Sequence, residues 1–205
     1  MGDAVDNVEG WPTWDSTKKM KYVYQVAAAI ADTHNIDREG FPSMTHTDIS
    51  MSQFVSTNGG EDYQINDFNR ARFLYRSVKD HNQICKFEVG SNKGKFRSPE
   101  EYEYNPEDEK VDVYSMGNIF YVLLTGKYPW EKLNKDEAKD AVIAGKRPEI
   151  DSQYLESEDP LIQAIVKAIG DCWIHDPDKR TTSRAIEQFL RPLAAAKKSP
   201  PPENV

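Results

Sequence analysis

Apolar residues recur at helical spacing over five stretches of the chain, and at strand spacing over only two short ones. After Trp14, Tyr22, Val26, Ala29 and Ile30 share one helical face with Val23 and Ala27 beside it. Asp15 or Ser16 can cap this helix, which the spacing carries to about His34, ahead of a Gly40-Phe41-Pro42 turn. Gln53-Phe54-Val55 and Tyr63-Gln64-Ile65 flank Thr57-Asn58-Gly59-Gly60, the pattern of a hairpin too small to serve as a core sheet. Tyr75 to Arg97 shows no clear period and reads as a long loop, of the kind that is functional or disordered. Val111 to Leu124 is apolar on nearly every face, so it predicts a helix buried in the middle of the molecule, closed by Gly126 and Pro129. Asn134 with Glu137 makes a capping box for a helix ending near Gly145. Pro160 opens another, with Leu161, Ile165, Ala168 and Cys172 on its stripe, and a last one spans about Ser183 to Leu190. The helices share no period, which excludes a repeat architecture and leaves a mainly α fold around one central helix.

Composition narrows this further. The chain has 205 residues, and 26 basic against 34 acidic side chains give a formal net charge of −8. Such a balance disfavours nucleic acid or anionic lipid as the main partner. The longest apolar runs, Val26 to Ala31 and Ile119 to Leu124, are far too short to span a membrane. Two cysteines, Cys85 and Cys172, cannot form a disulfide framework, which predicts an intracellular, most simply cytoplasmic, setting. The Cys172-Trp173-Ile174-His175 spacing has no second ligand pair nearby, so both Cys172 and Trp173 are expected in the core. The acidic stretch Glu100 to Glu109 reads as a solvated face, or as a patch favouring basic substrates.

Two loop carboxylates stand out, Asp48 in MTHTDISMSQF and Asp67 in YQINDFNRARF, 19 positions apart across the hairpin. A loop Asp by itself is usually a turn residue or a solvated carboxylate. Order along the chain changes that. His46-Thr47-Asp48 with Gln53, then Asp67-Phe68-Asn69, Ser98-Pro99-Glu100, Asp112 to Gly117, and Asp178-Lys179-Arg180 together resemble the protein kinase superfamily over residues 11–193. The resemblance is to the helical C-terminal lobe. Residues 1–10 then read as a disordered or truncated lead and 194–205 as a disordered tail. Lys95-Phe96-Arg97-Ser98-Pro99-Glu100 is similar to the corresponding segment of tyrosine kinases and tyrosine-kinase-like enzymes.

The resemblance implies an ATP- and Mg²⁺-dependent transferase acting on a protein hydroxyl. In it Asp48 would accept or orient the acceptor proton, and Asp67 would hold Mg²⁺. Glu100 would pair with Arg180, and Asp112 would accept backbone N–H bonds from the loop of Asp48. His46 and Phe68 would be structural. The departures from the family pattern point the other way. Thr47 replaces Arg, which implies that a phosphate-operated switch is absent. Ser50 stands where a phosphate-contacting Lys is usual, Gln53 replaces a metal-binding Asn, and Asn69 replaces Gly. Regulatory hydroxyls between Asp67 and Glu100 are limited to Tyr75, Ser77, Ser91 and Ser98. No glycine-rich phosphate loop or strand Lys occurs. Only about ten residues precede the first helix, whereas five strands, a helix and their turns need roughly 50. The upper lobe is therefore expected to be absent. Two functions remain: phosphoryl transfer when an upper lobe completes the site, or a pseudokinase-like scaffold that binds protein. The bare docking surface would favour self-association.

Overall fold

The computed structural model describes residues 13–79, 82–90 and 92–196. The expected lead 1–10, Ser91 and the part of the expected tail from 197 onward lie outside those residues. Helix α1 (Ser16–His34) starts where Asp15 accepts a bond from the Lys18 amide at 2.8 Å. Its buried face carries Met20, Val23, Ala27 and Ile30 toward α3 (Lys110–Thr125), α6 (Pro160–Cys172) and α7 (Ser183–Ala195). Every residue of α3 from Val111 to Thr125 is buried, so the all-round apolar pattern does mark the centre of the molecule.

Close approach of α3 and α6 depends on a missing side chain. A Cβ on Gly117 would lie 2.7 Å from the Cys172 Cβ and 2.9 Å from the Trp173 ring. Trp173 fills the space beside it and donates from its indole nitrogen to Asn118 Oδ1 at 3.1 Å. Burial pushes the Cys172 thiol pKa well up, so it stays protonated and acts as an apolar core residue. Lys19 is buried with its Nζ on the Leu124 carbonyl at 2.5 Å, placing a positive charge at the C-terminal end of α3. Desolvation lowers its pKa.

Strands are few and short. β1 (Met44–Thr45) pairs antiparallel with β4 (Arg72–Phe73), β2 (Phe54–Thr57) with β3 (Asp62–Ile65), and β5 (Arg76–Ser77) with β6 (Gln83–Ile84). The β2–β3 hairpin, with Phe54 opposite Ile65, sits where the alternation predicts it. The other two ribbons were not legible as strands, because two-residue pairings leave no period to read. Two short helices also escape the pattern, α2 (Pro99–Glu103) and α5 (Ser152–Leu155). Helix α4 (Lys135–Ile143) begins at the Asn134/Glu137 capping box as expected.

Helix α7 corrects an expectation. It does not stop at Leu190 but continues through Pro192 to Ala195. The proline falls in the last turn, where the loss of one backbone bond is tolerable, and Leu193 and Ala194 pack against the core to hold that turn.

Candidate functional site

Beneath the site lies one saturated carboxylate. Asp112 stands in the first turn of α3 and is almost fully buried. It accepts bonds from Thr45 Oγ1 (2.7 Å), the His46 amide (2.6 Å) and the Thr47 amide (2.8 Å), and from His34 Nε2 at 3.0 Å. The second His34 nitrogen is 2.8 Å from Ser183 Oγ, so the ring links α1, α3 and α7. Burial alone would raise the Asp112 pKa, but His34 and the His46 amide outweigh it and hold the carboxyl below its usual range. His34 was read from sequence only as a helix end. Its partner lies 78 positions away, and no local signal marks it.

The loops bearing Asp48 and Asp67 are laced together above this floor. His46 Nε2 donates to the Asn66 carbonyl at 2.9 Å, and the Asn66 amide donates to the Gln53 carbonyl at 2.8 Å. Thr47 Oγ1 donates to the Arg70 carbonyl at 2.8 Å. Since His46 Nε2 must carry a hydrogen, its Nδ1 is free to accept the Asp48 amide at 3.3 Å. The His46 and Phe68 rings meet edge to face at 5.1 Å. Thr47 (φ 60°) and Asp67 (φ 60°, ψ 65°) both hold left-handed backbone that non-glycine residues seldom adopt. Such strain persists only where surrounding bonds over-determine it.

The groups around Asp48 and those around Asp67 differ in how they are engaged. Asp48 receives Arg97 Nη2 on Oδ1 and Gln53 Nε2 on Oδ2 at 3.4 Å. Ser50 Oγ is tied to Ser52 Oγ at 2.9 Å. Asp67 is exposed and accepts a bond from the Asn69 amide at 3.4 Å. The family resemblance would assign the Asp67 carboxylate and the Gln53 side-chain oxygen to Mg²⁺, and both are oxygen donors of the kind a hard cation takes. Mg²⁺ is commonly held by one or two carboxylates plus substrate phosphates rather than by an all-protein cage. Asp67 offers an exposed carboxylate of that kind. Among the described residues no group of three or more His, Cys, Asp or Glu gathers into a metal cluster.

The acidic stretch is the largest correction to the sequence reading. Glu100, Glu101, Glu107, Asp108 and Glu109 are buried rather than a solvated face, and of the acids in the stretch Glu103 is the exposed one. Each sits among distant partners or desolvating neighbours. Arg180 forms a fork on Glu100, Nη1 to Oε1 at 2.6 Å and Nη2 to Oε2 at 3.0 Å. Its remaining N–H groups reach the Ile174, Lys110 and His175 carbonyls, so the guanidinium is fully satisfied. Glu101 accepts Arg97 Nη1 (3.2 Å) and the Ser98 amide (2.7 Å), closing a capping box at α2. Ser98 is thereby buried and is not an accessible regulatory hydroxyl. Glu107 binds Asn92 Nδ2 at 3.1 Å, and Asp108 meets Lys86 at 3.2 Å. Desolvation pushes the Glu101 pKa up to about 8 and that of Glu107 up to about 7, and it also raises that of Glu109.

The mainly α fold with its small sheets, and a loop Asp and a second Asp across a hairpin, fit a kinase-like architecture. The family profile described as "Protein kinase domain" matches residues 9–191, and the chain belongs to that family. It is 28% identical over 188 residues to a putative serine/threonine-protein kinase/receptor of Acanthamoeba polyphaga mimivirus, covering 92% of this chain and 10% of that protein. It is 27% identical to the serine/threonine-protein kinase CTR1 of Arabidopsis thaliana, covering 91% of this chain and 21% of the relative. A putative mitogen-activated protein kinase kinase kinase 7-like protein of Drosophila melanogaster matches at 24%, over 92% of this chain and 45% of its own length. The chain thus spans less than half the length of these curated relatives. No described helix is long and apolar enough to cross a membrane.

Proposed function

We propose that this chain is the helical lobe of a protein kinase and supplies the carboxylates for phosphoryl transfer from ATP to a protein hydroxyl. Serine or threonine is the acceptor suggested by the relatives' names, while Lys95 to Glu100 has a tyrosine-kinase-like character. In this reading Asp48 accepts or orients the acceptor proton. Asp67, with the Gln53 side-chain oxygen, would hold Mg²⁺, which when bound neutralises charge on the β- and γ-phosphates. Glu100 with Arg180 pins the end of the long loop to the lobe, and Asp112 fixes the backbone before Asp48. The lobe works with an upper lobe that contributes the phosphate cover.

The observation that carries this reading is the lacing of the two loops through His46, Asn66 and Gln53 over the Asp112 floor. A preorganised pair of loops is what charge stabilisation in phosphoryl transfer requires. An apolar groove of about 610 Å³ between α1 and β3, lined by Tyr24, Ala28, Ile36, Met44, Ile65 and Phe68, supports completion by further protein. A second copy of the chain is the competing occupant, and sedimentation of the protein at rising concentration separates the two.

Thermal unfolding with and without Mg-ATP tests the reading. Ligand at a hundredfold excess over its dissociation constant adds about 2.7 kcal/mol. The Asp67→Asn chain should lose that shift. An unchanged melting curve at millimolar Mg-ATP would count against the nucleotide site. The second reading, a pseudokinase-like scaffold, is favoured by the engagement of Ser50 with Ser52 and of the Gln53 amide with Asp48. Phosphotransfer by a longer form that Asp48→Asn abolishes would exclude it.

A further inference from the structure

Arg97 was only a spacer in the sequence pattern, yet its guanidinium spans three segments that must hold still for Asp48 to act. Nε donates to the Lys93 carbonyl at 2.9 Å, and Nη1 donates to the Thr47 carbonyl at 2.7 Å and to Glu101 Oε1 at 3.2 Å. Nη2 closes on Asp48 Oδ1. One end of the fork is therefore sunk against Glu101, whose side chain is 1% exposed, while the other faces Asp48, whose side chain is 27% exposed. A guanidinium gripped by two backbone carbonyls and a buried acid cannot swing freely, so the carboxylate it touches is fixed in turn.

We infer that Arg97 is a positioning residue for Asp48: it holds Oδ1 and so presents Oδ2 to the acceptor hydroxyl. This rests on the phosphoryl-transfer reading given above. The only bond made to Oδ2 among the described residues is the long one from Gln53, and this oxygen keeps room for an incoming donor. An arginine suits the task because its planar fork reaches the side chains of Asp48 and Glu101 at once. A lysine, as a single point charge, could satisfy only one of them.

The ion pair is tested first on the 205-residue chain. Melting temperatures of Arg97→Met, Asp48→Asn and the double variant form a cycle, repeated in a Glu101→Gln background to remove the buried partner. Arg97→Met should lower the melting temperature, and adding Asp48→Asn should recover part of the loss, because the unpaired carboxylate is gone. Strictly additive losses would overturn the proposal. Should Arg97→Met fail to fold, Arg97→Lys takes its place. The Arg97 Nη protons should exchange slowly in the parent chain and broaden in Asp48→Asn. Unchanged signals would contradict the pairing.

A positional role is tested separately in a longer form with phosphotransfer activity. There Arg97→Lys should cut kcat by about ten- to a hundredfold and leave KM for ATP within about twofold. Intact kcat would refute positioning, even with the ion pair confirmed. If every longer form is inactive, the phosphoryl-transfer reading falls and takes the positional claim with it, and the cycle then reports only on the pair.

Discussion

The floor and the rim of the candidate site are built on different terms. At the floor, Asp112 is buried and takes four donors, and α3 around it is buried from Val111 to Thr125. At the rim, Ser50, Gln53, Asp67 and Asn69 are exposed or half-buried, and these side-chain bonds reach no more than five positions along the chain. Ser50, Gln53 and Asn69, which depart from the family pattern, lie on the rim, while Thr47 is a departure within the floor. A buried, saturated floor tolerates little change, whereas a solvated rim can change residue type at small cost to the fold. Stability and candidate chemistry are thus separable in this molecule, and substitutions can be chosen to move one without the other.

The floor should break most expensively. Asp112→Ala orphans the amides of His46 and Thr47, and the expected loss is about 3–5 kcal/mol by denaturant unfolding. A loss below about 1 kcal/mol would mean that the loops stand without it. Next comes Gly117→Ala, which forces a methyl against Cys172 and Trp173. Overpacking of this kind is expected to cost about 1–3 kcal/mol.

The buried acids give the same comparison a pH signature. Glu101 and Glu107, pushed up to about 8 and about 7, bind a proton more tightly in the fold than in the unfolded chain, where about 4.5 applies. Their contribution is fully present below that unfolded value and is lost as pH rises through 7 and 8. Asp112 runs the other way: its contribution is present above about 3.8 and is lost as pH falls through its depressed folded value. The melting temperature should therefore peak on the mildly acidic side, and Glu101→Gln should flatten the alkaline limb. A limb unchanged in that variant would assign the titration elsewhere. Smallest of all, Ser50→Lys at the rim should leave stability within about 0.5 kcal/mol. It should also tighten Mg-ATP binding by restoring a positive charge, measurable by calorimetry.

What could be read from sequence follows the range of the interactions. Helix α1, the buried α3 and the Asn134 capping box announce themselves within a few residues. The Asp48 and Asp67 loops were singled out by motif order, and no period would have found them. Distant partners leave no local signal: the Glu100–Arg180 pair and the Asp112 bonds to the Asp48 loop were expected only through the family resemblance, and the His34–Asp112 bond not at all. Glu100 reaches Arg180 across 80 positions and His34 reaches Asp112 across 78, so burial of acids that looked solvated is set by parts of the chain far from them in sequence. Arg97 was hidden for a different reason. Its bond to Glu101 is a one-turn contact of ordinary appearance, and only the fold brings Asp48 to its other side.

Paramagnetic broadening by Mn²⁺ with a non-hydrolysable ATP analogue tests most directly whether the two carboxylates share one metal–nucleotide site, with Mn²⁺ alone as the control. Signals of Asp67, Gln53 and Asp48 should broaden first and together, and only with nucleotide present. Broadening scattered over the acidic surface, or confined to one of the two loops, would contradict a common site.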